Sequence, residues 1–183
     1  MHVTILDGME QSPLSNLVCS VFEERGDTVA YFRLADARIL PCRSCGACNF
    51  KSPGKCVCND DMHQILAAWV QSERIVFLTP VRFGGYSAQL KKAVDKSALT
   101  VLPLYGAKKG RMYHLPRYGC KSLLVIGELT GNVPDQEEKF RKLAAANAWN
   151  LQYDHHTLVV HPSDEVIVVK PAIEAILAKG EVR

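Results

Sequence analysis

Residues 74–78, Arg74-Ile75-Val76-Phe77-Leu78, read as a fully buried type of strand closed by Thr79-Pro80, and that reading decides the fold. Working outward, similar β-branched or apolar runs recur at His2–Leu6, Thr28–Leu34, Ser122–Ile126 and Leu151–Val160. Helical spacing alternates with them. It runs through Leu14, Leu17, Val18, Val21 and Phe22 after Pro13, and through Met62, Ile65, Leu66, Trp69 and Val70 after Asp60. It returns through Leu90, Ala93, Val94 and Ala98 with Ser87 as N-cap, then over 135–147 and 170–178. Five strands alternating with helices predict parallel strands joined by right-handed crossovers. The expected architecture is an α/β flavodoxin-like three-layer sandwich with a five-stranded parallel sheet in the order 2-1-3-4-5. Ligands of such sheets sit beyond the carboxyl ends of the strands at the switch point, which here means the loops after Leu6, Leu78 and Ile126.

The 183 residues suit a single domain, 1–183, large enough to bury a core without metal or disulfide staples. An apolar share of 48% with 22% charged residues excludes the disordered classes. The net charge of +3 comes from scattered residues, which argues against a nucleic-acid partner. With neither a leader-like opening nor a run of 18 apolar residues, a cytoplasmic protein with no membrane partner is expected. Residues 101–119 hold Pro103, Gly106, Gly110, Pro116 and Gly119 among Tyr105, Tyr113 and Tyr118. They predict an irregular excursion over a site or an interface.

Five of the seven cysteines stand as Cys42-x2-Cys45-x2-Cys48-x7-Cys56-x-Cys58 inside a cysteine-rich loop, 39–59. The compact triplet with a fourth thiol a short loop later can aim four thiolates at one inorganic centre, as bacterial-type iron–sulfur sites do. An odd count crowded into one loop suits a reducing compartment better than a disulfide framework. Zinc fits less well because two separated C-x2-C pairs are missing, and a thiol pair stays open. Cys19 and Cys120 read as small buried hydrophobes, and Trp69 and Trp149 as core anchors. His155, His156 and His161 read as hydrogen-bonded or exposed histidines rather than ligands. Asp60-Asp61 reads as a helix cap.

The tract Gly54-Lys-Cys56, Asp60-Asp-Met62, Thr79-Pro-Val-Arg-Phe-Gly84 and Ser87-Ala-Gln-Leu-Lys91 with Asp95 resembles the iron-sulfur flavoprotein branch of the NAD(P)H-dependent FMN reductases. The resemblance is close over residues 42–96 and elsewhere rests on the order of elements. It implies bound FMN, a [4Fe-4S] cluster held by Cys42, Cys45, Cys48 and Cys56 with Cys58 as an extra thiol, and a homo-oligomer, dimer or tetramer. Two positions depart from the family's habit. The first loop reads Gly8-Met-Glu-Gln-Ser-Pro-Leu-Ser-Asn16 in place of a Gly-Ser-Pro-Arg style sequence, and Arg82 stands where a tyrosine is common.

An FMN phosphate calls for N–H groups and hydroxyls at a helix N-terminus. The loop from Gly8 and Met9 to Asn16 offers Gln11, Ser12, Ser15 and Asn16, with Glu10 opposing an anion unless it points away. The flavin ring needs backbone amides and a flat wall, which Thr79, Pro80, Val81, Arg82, Phe83 and Gly84 can supply. Gly127 and Thr130, in the loop running to Asn132, can close over its other end. Read without the resemblance, these three stretches have bland readings too: a polar connection, a glycine turn and a simple turn. No side chain is required as a catalytic acid or base. The expected function is an FMN-dependent oxidoreductase or electron-transfer flavoprotein that takes electrons from NAD(P)H or a protein donor and passes them through FMN and the cluster. The alternatives are a thiol- or zinc-based redox sensor without flavin, and a flavodoxin-type carrier without reductase activity.

Overall fold

The computed structural model describes residues 1–131 and 133–179. Strand β1 (His2–Asp7) leads into helix α1 (Pro13–Glu24) and strand β2 (Thr28–Arg33). The cysteine loop follows, with one short helix, α2 (Ala47–Phe50), and then α3 (Met62–Gln71), β3 (Arg74–Val81) and α4 (Ala88–Asp95). A 3₁₀ turn (Lys96–Thr100) opens a hairpin, β4 (Val101–Lys108) and β5 (Arg111–Pro116). The chain ends with β6 (Ser122–Leu129), α5 (Gln136–Leu151), β7 (Asp154–Val160) and α6 (Val166–Lys179).

The main sheet is parallel throughout, in the order β2-β1-β3-β6-β7. The expected sequence of five strands is thus displaced by the inserted hairpin, so the order in chain numbering is 2-1-3-6-7 rather than 2-1-3-4-5. All eight residues of β3 are buried, because helices cover both of its faces. Ile75, Phe77 and Val81 point into a core shared with Leu66 and Trp69 of α3, Leu90 of α4 and Phe140 of α5. Val76 and Leu78 point the other way, against Leu17, Val18 and Phe22 of α1 and Ile173 of α6. This alternation over two cores is what makes the strand read as continuously apolar.

Several boundaries differ from expectation for local reasons. Strand β3 runs through Thr79-Pro80 to Val81, and its pairing with β1 ends at Leu78. Beyond that point one edge of β3 is open, where proline breaks no ladder on that side. Leu151 closes α5 and Gln152–Tyr153 lead from it to the last strand, which begins at Asp154, and α6 begins at Val166 and not Lys170. The 101–119 excursion is mostly a β-hairpin, with a shift of register between Val101 and Tyr105. Lys109 and Gly110 both take positive φ, 52° and 71°, between the paired Lys108 and Arg111, the geometry of a two-residue hairpin turn. Trp149 anchors this hairpin rather than the core: its indole N–H donates to the Met112 carbonyl at 3.0 Å, and the Arg111 guanidinium lies 4.6 Å over its ring. Cys120, expected inside, is exposed.

Candidate functional site

Three loops leave the carboxyl ends of β1, β3 and β6 and are tied to one another. The Gly8 N–H donates to the Leu78 carbonyl at 2.7 Å, and a Cβ at Gly8 would stand only 2.4 Å from Ser87 Oγ. Glycine is required there by close approach. The Thr130 hydroxyl donates to the Val81 carbonyl at 2.7 Å. Between the first two loops lies a cavity of about 360 Å³ lined by Gly8, Met9, Glu10, Ala35, Pro80, Arg82, Tyr86, Ser87, Ala88, Gln89 and Lys92. It opens between β1 and β3, where the connections turn to opposite faces of the sheet.

The loop after β3 is a tight turn closed by Arg82 N–H to Gly85 carbonyl (3.3 Å) and Gly85 N–H to Arg82 carbonyl (2.9 Å). Phe83 at its tip has φ 53° and is 84% exposed. An aromatic residue held left-handed costs on the order of 1–3 kcal/mol, a strain that collects at functional positions. Gly84, at φ 78°, sits where a Cβ would be 2.6 Å from Lys139 Cβ, so the turn rests on α5. Thr79 and Val81 face inward. The Thr79 hydroxyl accepts the Ser87 N–H at 2.9 Å, and with Ser87 Oγ accepting the Leu90 N–H at 3.3 Å it fixes the start of α4. Their side chains are therefore supports, whereas Arg82 and Phe83 face outward. Burial pushes the Tyr86 phenol up to about 12, with a hydrogen bond from Asn147 pulling the other way, so the cavity wall there is a neutral phenol.

The first loop departs further from expectation. Met9 is buried in the core beneath α1 rather than presented to a ligand. Ser12 caps α1, accepting the Leu14 N–H at 3.2 Å. Ser15 is half-buried, and the Tyr31 hydroxyl donates to Asp7 at 2.5 Å; burial, then the Asp7 contact, raise the Tyr31 phenol far above its ordinary value. Gln11 and Asn16 are exposed. Gly127 is buried, with the Phe140 ring 2.3 Å from where its Cβ would be, so it serves packing. Thr130 is exposed, and Asn132 lies outside the described residues. Tyr86, Gln89 and Lys92 were not legible as site residues, since only the fold brings them to the crevice.

In the cysteine loop, Cys42 and Cys45 are exposed, and Cys48 and Cys56 are half-buried against the core. The Cys48 thiol is raised, first by burial and then by the charges of Cys42, Cys56 and Cys45, so each of these three lies within electrostatic reach of Cys48. Among the described residues no three His, Cys, Asp or Glu side chains already stand at metal-holding distances. Positive φ at Ser44, Gly46 and Gly54 folds the segment back on itself, and the Gly54 N–H closes it on the Cys48 carbonyl at 2.9 Å. The Cys58 N–H donates to Cys56 Sγ at 3.4 Å. The loop's ends are pinned by acids: Asp60 accepts the Leu40 N–H at 2.9 Å and Asp61 the Arg38 N–H at 2.7 Å. Asp61 precedes α3 without a side-chain cap bond, so the expected capping role falls to Asp60, which accepts the Met62 N–H at 3.3 Å. Asp60 also holds the buried Lys96 ammonium.

A parallel sheet with a loop-lined crevice at its switch point defines a doubly wound, flavodoxin-like α/β domain. Two solved structures share that fold across nearly all of both chains. One is an NAD(P)H:quinone oxidoreductase from Methanothermobacter marburgensis, with TM-score 0.67 and 15% identity, covering 94% of this chain and 96% of that one. The other is an FMN-dependent NADH-azoreductase from Bacillus anthracis in complex with FMN, with TM-score 0.62, 14% identity and 96% of each chain covered. Residues 11–114, more than half of the chain, match the NADPH-dependent FMN reductase family, and the chain belongs to that family. Curated relatives include iron-sulfur flavoproteins of Methanocaldococcus jannaschii, 40% identical over 74 residues (40% of this chain, 37% of the relative), and of Methanosarcina thermophila, 35% identical over 79 residues (43% and 40%). In both cases the match spans less than half of the relative's length. No helix among the described residues is long and apolar enough to cross a membrane.

Proposed function

We propose that this chain, acting as a single FMN-binding domain, is an FMN-dependent oxidoreductase with NAD(P)H as electron donor, in which Cys42, Cys45, Cys48 and Cys56 hold a [4Fe-4S] cluster. The observation that carries the flavin reading is the joining of three loops around one crevice, with Phe83 displayed beside it at positive φ. The crevice is within the usual size range of small-ligand sites. Amides of the 82–85 turn and the Arg82 guanidinium would face the flavin ring, and Phe83 offers it a flat apolar face. Ser12 and Gln11 would meet the phosphate end. Thr79, Val81 and Gly127 hold these groups in place from behind. FMN, when bound, supplies the exchange between two-electron and one-electron transfer, and a cluster supplies a single-electron relay. The cysteine donors fit such a cluster in softness and number, and Cys42, Cys45 and Cys56 each lie within electrostatic reach of Cys48.

The test is the visible spectrum of protein purified without oxygen, with iron and sulfide assayed on the same sample. Flavin bands with about four irons per chain are expected. Bleaching on addition of NADH or NADPH separates a reductase from a carrier, and a colourless protein sinks the flavin reading in favour of a thiol or zinc sensor.

The hairpin bears on assembly. Leu104, Tyr105 and Met112 are exposed on it, an apolar surface of the kind that seats a second copy in a homo-oligomer. Shortening the hairpin is expected to lower the mass measured by light scattering and to weaken flavin binding. An unaltered mass together with unaltered flavin affinity would refute that role.

A further inference from the structure

We propose that the groove between α3 and the cysteine loop is a second binding site, one that seats a planar aromatic anion and lets electrons leave the cysteine loop for it, away from the crevice between β1 and β3. The electron route rests on the function proposed above, whereas the docking rests on the groove alone.

The groove holds about 500 Å³, within the usual range of small-ligand sites. His63, Leu66, Ala67 and Val70 line it and stand at i, i+3, i+4 and i+7, so they share one face of α3. That face gives the groove an apolar floor. Tyr118, just past β5, forms one side, and its hydroxyl lies 3.1 Å from where a Gly54 Cβ would be, so the phenol leans on the cysteine loop. A flat phenol wall beside an apolar floor suits a flat aromatic guest.

The rim is cationic. Lys55 is exposed on it. Arg117 lies alongside Gly54, with Nε 3.8 Å from the same Cβ position, and donates to the Val101 carbonyl at 3.2 Å. Lys121 donates to the Val70 carbonyl at 2.8 Å and so opposes the negative end of α3. No described carboxylate lines the groove. Positive charge over an apolar floor complements an aromatic ring that bears a sulfonate or carboxylate. A neutral ring lacks the first attraction, and an inorganic anion lacks the second.

The position of the groove gives it a redox use. The His63 ring lies 3.1 Å from the Cys56 carbonyl through Nε2, and since a carbonyl can only accept, that nitrogen carries the proton. A path from the Cys56 sulfur therefore runs through its own main chain and one hydrogen bond to a ring in the groove wall. The reaction balances as follows: NAD(P)H gives up a hydride, and an acceptor such as an anthraquinone takes its two electrons one at a time. With the proton of that hydride and one more from solvent, the acceptor becomes the hydroquinone.

The test is calorimetric titration of the full chain with naphthalene-2-sulfonate, a flat anion that accepts no electrons, followed by the rate of NAD(P)H-driven reduction of anthraquinone-2-sulfonate at subsaturating concentration. Saturable binding is expected, weakened about tenfold or more by Ala67→Trp, which fills the groove from an exposed position. Lys55→Glu is expected to weaken it about threefold or more, an effect that shrinks as salt is raised. Ala67→Trp is also expected to slow anthraquinone-2-sulfonate reduction about tenfold, with iron per chain as in the unaltered protein. Absence of saturable binding, equal binding in Ala67→Trp, or unslowed reduction despite lost binding would each overturn the proposal. A change of mass in Ala67→Trp, read by light scattering, would overturn it by making the groove a contact between copies. Naphthalene-2-sulfonate needs neither flavin nor iron, so a colourless chain that still binds it would sink the function proposed above and the electron route while upholding the docking site.

Discussion

Replacing Cys56 with serine is expected to abolish the iron–sulfur absorbance and bring iron and sulfide to near zero per chain, whereas Cys58→Ser retains both. The two thiols are separated by one residue, and their surroundings differ. Cys56 packs against the core beside α3 and lies within electrostatic reach of Cys48, which in turn senses Cys42 and Cys45. Cys58 supports the Cys56 sulfur through its main-chain N–H at 3.4 Å, a contact that serine preserves. Neither change touches the buried faces of the sheet, so thermal unfolding is expected to shift by less than about 1 kcal/mol equivalent in both. Loss of the cluster in Cys58→Ser with retention in Cys56→Ser would reverse the assignment of the fourth ligand.

Lys96→Met is expected to destabilise the fold by about 3–5 kcal/mol, a fall in Tm on the order of 10 °C. Lys96 and Asp60 are paired with side chains 1% and 0% exposed, and Asp60 additionally accepts two main-chain N–H groups. Methionine would fill the volume and leave a carboxylate buried without its cation. Burial alone would raise the Asp60 carboxyl, but the hydrogen bond from Lys96, with those from Leu40 and Met62, holds it below the ordinary aspartate value. Its contribution is therefore complete above about pH 4 and is lost as the pH falls through the lowered value, so stability should drop in strong acid. In Lys96→Met that acid-side loss should shrink, because the native carboxyl no longer titrates below the unfolded one. Asp60→Asn combined with Lys96→Met should recover part of the loss. A penalty under about 1 kcal/mol for Lys96→Met, read from urea unfolding, would show that the pair contributes little.

What was legible in the chain was what repeats or clusters. The apolar runs of β1, β3 and β6 marked the sheet because each packs against helices on two faces, and the cysteine spacing marked its loop because all its members lie close in sequence. The hairpin was misread because Pro103, Gly106 and Pro116 look like breakers. Gly106 instead makes room for the Tyr113 ring, which would lie 2.5 Å from a Cβ there, and the Lys109-Gly110 turn carried the signal. Lys96 lies well downstream of Asp60. Local pattern carries no record of such contacts, and a buried lysine within a helical run looks like any solvated one. Met9 and Gly127 sat at the right places in the chain with the wrong orientation, since only packing decides which loop atoms turn inward.

The acids that pin residues 38–40 to residues 60–61 make the cysteine segment an insert with fixed feet. Between feet held that firmly, doubling the length of the insert would add only about 0.6 kcal/mol of closure entropy. The segment can therefore be lengthened, shortened or re-spaced without disturbing the crevice at the switch point. Any inorganic centre these cysteines hold would in this sense be modular, an exchangeable fitting on a frame whose sheet and helices are packed by other residues.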